Sequence, residues 1–315
     1  MKDNYGRDIY YLRISVTDLC NLRCIYCMPE SGVEKRRRED VLTNEEIEEI
    51  VRAAAACGIT KVRVTGGEPL VRSGIIDICR RISAVKGINE LCLTTNGILL
   101  PKYAEELKAA GVRRLNISLD SLDPDTYKEI TRTGTLESAL AGVNSALDND
   151  FEAVKINAVL IGGVNDREIL SLLEQTRRYQ VNVRFIEVMP IGECADWAES
   201  RFISSSHVLE LAPELYEVGN DGVAKLYKLP GGLGTVGLIS PISSHFCPTC
   251  NRIRVAADGM LKPCLHSAEE ISLRGLSSEE LEEVIRSAIA NKPQKHRLDT
   301  GEISASARNM NAIGG

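Results

Sequence analysis

A chain of 315 residues with 43% hydrophobic and 26% charged side chains can bury one large core, and no apolar run approaches the roughly 18 to 20 residues of a membrane helix. A formal net charge of −6 argues against a general nucleic-acid footprint but leaves room for a local basic pocket. The opening MKDNYGRDIYYLRIS has no apolar run with a small-residue cleavage site, so a cytoplasmic protein without nucleic-acid or membrane partners is expected.

From Tyr10 to about Met189, short β-rich runs alternate with helical patterns, the signature of βα units around a parallel sheet. The first run, YYLRISVT, leads directly into Cys20-x-x-x-Cys24-x-x-Cys27. Thr43 and Glu46 then form a capping box for a helix over 44–57, and Gly58 stops it. KVRVT runs into Gly66-Gly67-Glu68-Pro69, and ELCLTT into Asn96-Gly97. Pro101 is placed at the first position of a helix that Gly111 closes. RRLNISLD, AVKINAVL and NVRFIEVM complete six units, which make either an open doubly wound sheet or an incomplete barrel. In both architectures ligands gather at the C-terminal strand ends, where Cys20 to Cys27, Gly66 to Pro69, Thr94 to Gly97, Ser118 and Met189 all fall.

After Pro190 the alternation fades into mixed strand and glycine-rich text, and a boundary near residue 225 separates 1–225 from 226–315. The second part holds Cys247-x-x-Cys250, a strand and turn at Asp258-Gly259, Cys264, the amphipathic helix SSEELEEVIRSAIANK and a polar tail ending Gly314-Gly315. The basic run Lys35 to Arg38 lies among Glu34, Glu39 and Asp40 and reads as a solvated loop.

Of ten cysteines, Cys57, Cys79 and Cys92 lie singly in apolar segments as small buried hydrophobes, and isolated Cys194 receives no role. Cys20, Cys24 and Cys27 place three thiolates in one loop after a strand. A 4Fe-4S cube normally takes four cysteines, so three leave one iron open, and a zinc site completed by a distant histidine is the bland alternative. Cys247, Cys250 and Cys264 admit either a second open cluster or a zinc site completed by His245 or His266. Beside them, Arg252 and Arg254 share one face of a strand, and paired guanidiniums suit phosphates.

The first triad, with Tyr26 before its last cysteine, resembles the radical S-adenosylmethionine (SAM) superfamily, and Thr65 to Pro69 resembles that superfamily's motif for the methionine amino group. From Arg13 to Gly315 the chain is similar to the GTP 3′,8-cyclase family of molybdenum cofactor biosynthesis, through RISVTDLCNLRCIYCMPE, KVRVTGGEPLVR, LTTNG, NISLDSLD, VKINAVLIGGVND, RFIEVMPIG, CPTCNRIRVAADGMLKPCL and NMNAIGG. The resemblance implies an incomplete (βα)6 TIM-type barrel with a C-terminal α+β extension, and two 4Fe-4S clusters on the two triads. It implies SAM contacts at Tyr26, Gly67, Ser118 and Met189. GTP contacts are implied at Arg13, Arg63, Thr94, Lys155, Arg184, Arg252, Ile253 and Arg254, and catalytic roles at Arg252, Arg254, Gly314 and Gly315, with the tail reaching the active site.

The implied activity is that of a lyase that cleaves SAM reductively, takes hydrogen from C3′ of GTP and joins C3′ to C8. A ferredoxin- or flavodoxin-type donor and a downstream cyclic pyranopterin monophosphate synthase are the implied partners, and a homodimer is compatible. The competing readings are another radical SAM enzyme with an auxiliary cluster, such as a peptide-modifying maturase, and a non-catalytic electron carrier or zinc-binding protein.

Overall fold

The structure, a computed structural model, describes residues 1–298 and 304–314; Gly315 lies outside the described residues. The six β-rich runs form β1 (Tyr11–Ser15), β2 (Lys61–Thr65), β3 (Glu90–Thr95), β4 (Val112–Ser118), β5 (Ala153–Leu160) and β6 (Val181–Glu187). Each pairs in parallel with the next. The connections carry α1 (Asn44–Ala56), α2 (Ile75–Ala84), α3 (Leu100–Ala109), α4 (Pro124–Thr131), α5 (Leu136–Asp148) and α6 (Ile169–Arg178). Strand alternation explains the layering. Leu12, Ile14, Val62, Val64, Leu93 and Ile117 join the buried apolar core, while Arg13, Arg63, Thr94 and Asn116 between them line an internal cavity.

The helix signals are realised with one shift. Thr43 Oγ1 accepts from the Glu46 amide (3.1 Å) and Glu46 Oε2 from the Thr43 amide (2.7 Å), while Ile47, Ile50, Val51 and Ala54 are buried. Gly58 and Gly111 have positive φ, as helix stops need. Pro101 is the second residue of α3, because the helix begins at Leu100 with Leu99 as a cap that offers no side-chain acceptor. Its missing N–H costs nothing there, since the first four helical amides lack intrahelical partners.

The chain after β6 adds α7 (His207–Leu211), β7 (Tyr216–Asp221), β8 (Ala224–Lys228), β9 (Val236–Ile239), β10 (Arg252–Val255), β11 (Met260–Lys262), β12 (Ile271–Ser272), α8 (Ser278–Ala290) and α9 (Met310–Ile313). It extends both edges of the barrel sheet. β9 runs parallel to β6 and β10 parallel to β1, giving the order β12-β11-β10-β1-β2-β3-β4-β5-β6-β9-β8-β7. The expected incomplete barrel is therefore present, with hairpins on its two edges. Residue 225 falls inside β8, which pairs antiparallel with β9, so the sheet is continuous across the expected boundary. Among the described residues no helix is long and apolar enough to cross a membrane.

Buried Arg7 fastens the N-terminus to this added region. Its guanidinium donates to Asp3 Oδ2 (2.6 Å) and to the carbonyls of Cys247 (3.0 Å), Lys292 (3.2 Å), Pro293 (2.8 Å) and Gln294 (2.9 Å). Arg7→Ala leaves Asp3 and four carbonyls without that donor, and breaking such a buried pair is expected to cost about 3–5 kcal/mol. Anaerobic chemical denaturation should register the loss as a lower midpoint.

Candidate active site

A cavity of about 350 Å³ fills the barrel, within the range of small-molecule sites. Both cysteine triads line it, as do Tyr26, Gly67, Ser118, Met189, Arg13, Arg63, Thr94, Lys155, Arg184, Arg252 and Arg254. The structure thus brings together the expected positions on described residues except two. Ile253 points the other way, 1% exposed within the apolar core, because β10 alternates and its neighbours take the cavity face. Gly314 does not line the cavity but reaches its wall, where its carbonyl accepts from Arg254 Nη1 at 2.7 Å.

At the C-terminal strand ends, two loops lie backbone against backbone. The Gly67 amide donates to the Thr17 carbonyl (2.7 Å) and the Glu68 amide to the Leu19 carbonyl (2.8 Å). A Cβ at residue 67 would stand 2.4 Å from the Leu19 oxygen and 2.7 Å from that of Asp18, so glycine is required by close approach. Buried Glu68 accepts from Leu70 N (3.0 Å), Thr95 Oγ1 (2.8 Å) and Asn96 N (2.7 Å), which ties this loop to the end of β3. Burial pushes its carboxyl up to about 7 although those hydrogen bonds pull the other way. Tyr26 donates to Asp120 Oδ2 (2.8 Å), and Asp120 Oδ1 accepts from Val159 N (2.8 Å).

Burial pushes the Cys20 thiol up to about 11 and raises Cys24 and Cys27 as well, with neighbouring thiolates adding to the rise. Such thiols hold their protons until a metal displaces them. The Leu22 amide (3.3 Å) and Asn96 Nδ2 (3.8 Å) donate to the Cys20 sulfur, the type of hydrogen bond that tunes iron–sulfur centres. Cys194, a lone residue in the sequence, is on the same wall. It adds to the rise of the Cys27 thiol, and its own thiol donates to the Met189 carbonyl (2.9 Å).

In the second triad burial raises Cys247, whereas Lys292, Arg252 and Arg7 outweigh burial and hold Cys250 below its usual value. A thiolate among cations suits an anionic iron–sulfur cluster. The His245 and His266 rings pack 4.8 and 4.9 Å from that of His296. Among the described residues no three His, Cys, Asp or Glu side chains are gathered as a single-ion site. Cys20, Cys24 and Cys27 share one loop, while Cys264, after β11, joins Cys247 and Cys250, before β10, on the same cavity, and three cysteines in each set suit an iron–sulfur cluster.

Between the triads runs a basic wall. Arg254, Arg13 and Arg63 are direct register neighbours across β10, β1 and β2. Burial, then the charge of Arg254, drives Arg13 well below its ordinary range, and burial with Arg252 beside it lowers Arg254 to about 10. Lys61, which the sequence reading passed over, joins them with its ammonium on Glu90 (2.9 Å). Lys155 and Arg184 both bind Asp221 at the end of β7. Thr94 Oγ1, Asn116 Oδ1 and Asn157 Oδ1 are buried without a partner, so the wall also presents polar atoms that a ligand would satisfy.

Residues 14–176 match the Radical SAM superfamily and residues 181–298 match Molybdenum Cofactor Synthesis C. GTP 3′,8-cyclases of Alkaliphilus oremlandii and Alkaliphilus metalliredigens are 52% and 53% identical to this chain, in each case over 100% of both sequences. Among solved structures, Streptococcus suis SuiB bound to S-adenosylmethionine has a TM-score of 0.66 at 16% identity, covering 90% of this chain and 68% of that one. AdoMet-bound anSMEcpe gives 0.53 at 14% identity, covering 95% and 84%. At such identities these structures speak to the fold.

The close approach at residue 67 is testable. Gly67→Ala pushes the Asp18–Leu19 backbone away just before Cys20, so reconstituted protein is expected to carry about half the wild-type iron, with the second triad still loaded. Anaerobic iron analysis of wild type and variant checks this.

Proposed function

Because the chain belongs to the radical SAM superfamily and, within it, to the GTP 3′,8-cyclases, we propose that its basic wall holds the triphosphate of GTP between the two cysteine triads. The enzyme converts GTP to (8S)-3′,8-cyclo-7,8-dihydroguanosine 5′-triphosphate in molybdenum cofactor biosynthesis, with removal of H3′ and attack of C3′ on C8. Its cofactors are SAM and 4Fe-4S clusters. The observation that carries the site assignment is the in-register row Arg254, Arg13, Arg63 on a cavity flanked by both triads.

Cys20, Cys24 and Cys27 would hold the cluster whose open iron takes SAM, and Cys247, Cys250 and Cys264 the other. When bound, the first cluster supplies the electron for reductive cleavage of SAM. The chain's own part is to bind, orient and exclude water. Tyr26, Gly67, Ser118 and Met189 form the SAM end of the cavity. Arg13, Arg63, Lys155, Arg184, Arg252 and Arg254 offer guanidinium forks and an ammonium to a polyanion, whose charge would relieve their mutual repulsion. Residue 253 would contribute through its backbone, since its side chain is in the core. Gly314 fixes Arg254 through its carbonyl, and a Cβ there would meet Thr65 Oγ1 at 2.3 Å, so the glycine permits the tail to enter. Electrons would come from a ferredoxin- or flavodoxin-type donor in the cytoplasm, and the product would pass to cyclic pyranopterin monophosphate synthase.

Anaerobic incubation with GTP, SAM and dithionite is expected to yield 5′-deoxyadenosine and the cyclised nucleotide together. Absence of GTP-dependent 5′-deoxyadenosine would overturn the reading. Removal of Gly314 and Gly315 should leave the fold and both clusters intact and abolish cyclisation, and full turnover by the truncated enzyme would refute the tail's role.

Lys155 supplies a pH test. Burial first, then the charge of Arg184, lowers its ammonium to about 8, so the free enzyme loses this cation as the pH rises through that value. GTP affinity should be flat below about 8 and weaken by up to about tenfold per unit above it. Lys155→Arg should remove the dependence, as equilibrium binding across the range will show.

A further inference from the structure

Four carboxylates line the cavity, and one is held differently from the rest. Glu68 accepts from the amides of Leu70 and Asn96, Asp120 from that of Val159, and Glu187 from those of Ser205, Ile242 and Ser243. These are fixed parts of the loops they tie. Asp221 instead presents a single oxygen, Oδ2, to both the Lys155 ammonium and the Arg184 guanidinium. Lys155 is buried on β5 and Arg184 half-buried on β6, while Asp221 sits at the turn of a hairpin whose Tyr216, Glu217 and Val218 are exposed. Arg184 keeps its Nε buried and without a partner, so its fork is only partly used.

One anionic oxygen shared by an ammonium and a guanidinium is the arrangement that a phosphate oxygen would make. Without an anion there, two largely desolvated cations that now share one oxygen would repel each other. With both Asp221 and a triphosphate there, the anions would repel instead. We propose that Asp221 is the resident anion of the phosphate site: it holds Lys155 and Arg184 in place in the substrate-free enzyme, and the incoming triphosphate displaces it together with the β7–β8 turn. This rests on the reading that GTP lies on the basic wall. Exchange against a built-in carboxylate sets a threshold of charge, so a nucleoside triphosphate competes where a nucleoside cannot. Asp221 is thereby a specificity-determining residue that need not touch the reacting atoms.

Equilibrium binding of GTP and guanosine to the anaerobically reconstituted holoenzyme tests the exchange. Asp221→Asn keeps the shape and removes the charge, and is expected to tighten GTP on the order of tenfold while leaving guanosine unchanged, with Asp221→Glu returning towards wild type. Unchanged or weakened GTP binding in Asp221→Asn would overturn the proposal, as would equal tightening of guanosine. Amide exchange in the wild type needs no variant. GTP should speed exchange at residues 221–223, and slower or unaltered exchange there would refute displacement. Wild-type enzyme that binds guanosine as tightly as GTP would instead remove the underlying reading of the wall.

Discussion

Parallel register sets Arg254, Arg13 and Arg63 side by side across β10, β1 and β2, with backbones roughly 4.8 Å apart, and burial denies them the water that would screen their repulsion. Much of the cavity answers that problem. The Tyr11 hydroxyl accepts from Arg63 Nε, and the charges of Arg63 and Arg13 draw that phenol down to about 8 against the effect of burial. The tail carbonyl of Gly314 takes Arg254, and Asp221 takes the pair on β5 and β6. Tyr11 and the Gly314 carbonyl are neutral partners, whereas Asp221 brings its charge from a segment outside the six-strand barrel.

The two triads depend on the same architecture by opposite means. The first is held by local backbone packing, where the absent side chain of Gly67 lets the loops after β1 and β2 touch. The second is held at long range. Arg7 binds its loop from the N-terminus. Arg308 reaches from the tail to Glu270 (2.6 and 2.7 Å) and to Asp258 (2.8 Å) beyond β10. Arg36 spans the two halves, 2.7 Å from Asp18 beside the first triad and 3.4 Å from Asp258. It belongs to the run expected to be a solvated loop. Arg37 keeps to that expectation, but Arg36 finds carboxylates contributed by segments distant in sequence.

That contrast explains what was legible beforehand. The six strands, the capping box of Thr43 and Glu46 and both triads are local patterns, and they could be read because period and spacing carry them. Arg252 and Arg254 were legible as a pair for the same reason, since strand alternation assigns them one face and gives Ile253 to the core. Lys61, Asn116, Asn157 and Asp221 were not, because each acquires meaning only from neighbours on other strands. Cys194 is alone in sequence and meets Cys27 only through the fold. The continuity of the sheet through residue 225 was hidden likewise, since β8 reaches the barrel only by way of β9.

The pairing of β10 with β1 has a consequence for the life of the chain. β1 lies near the N-terminus, yet one of its edges is covered by a strand from the far end of the sequence, and such long-range contacts form late. Until β10 docks, that edge offers open N–H and C=O groups to any other extended chain. Since β10 directly follows Cys247 and Cys250, the strand that covers this edge also anchors the end of the loop carrying two thiols of the second triad.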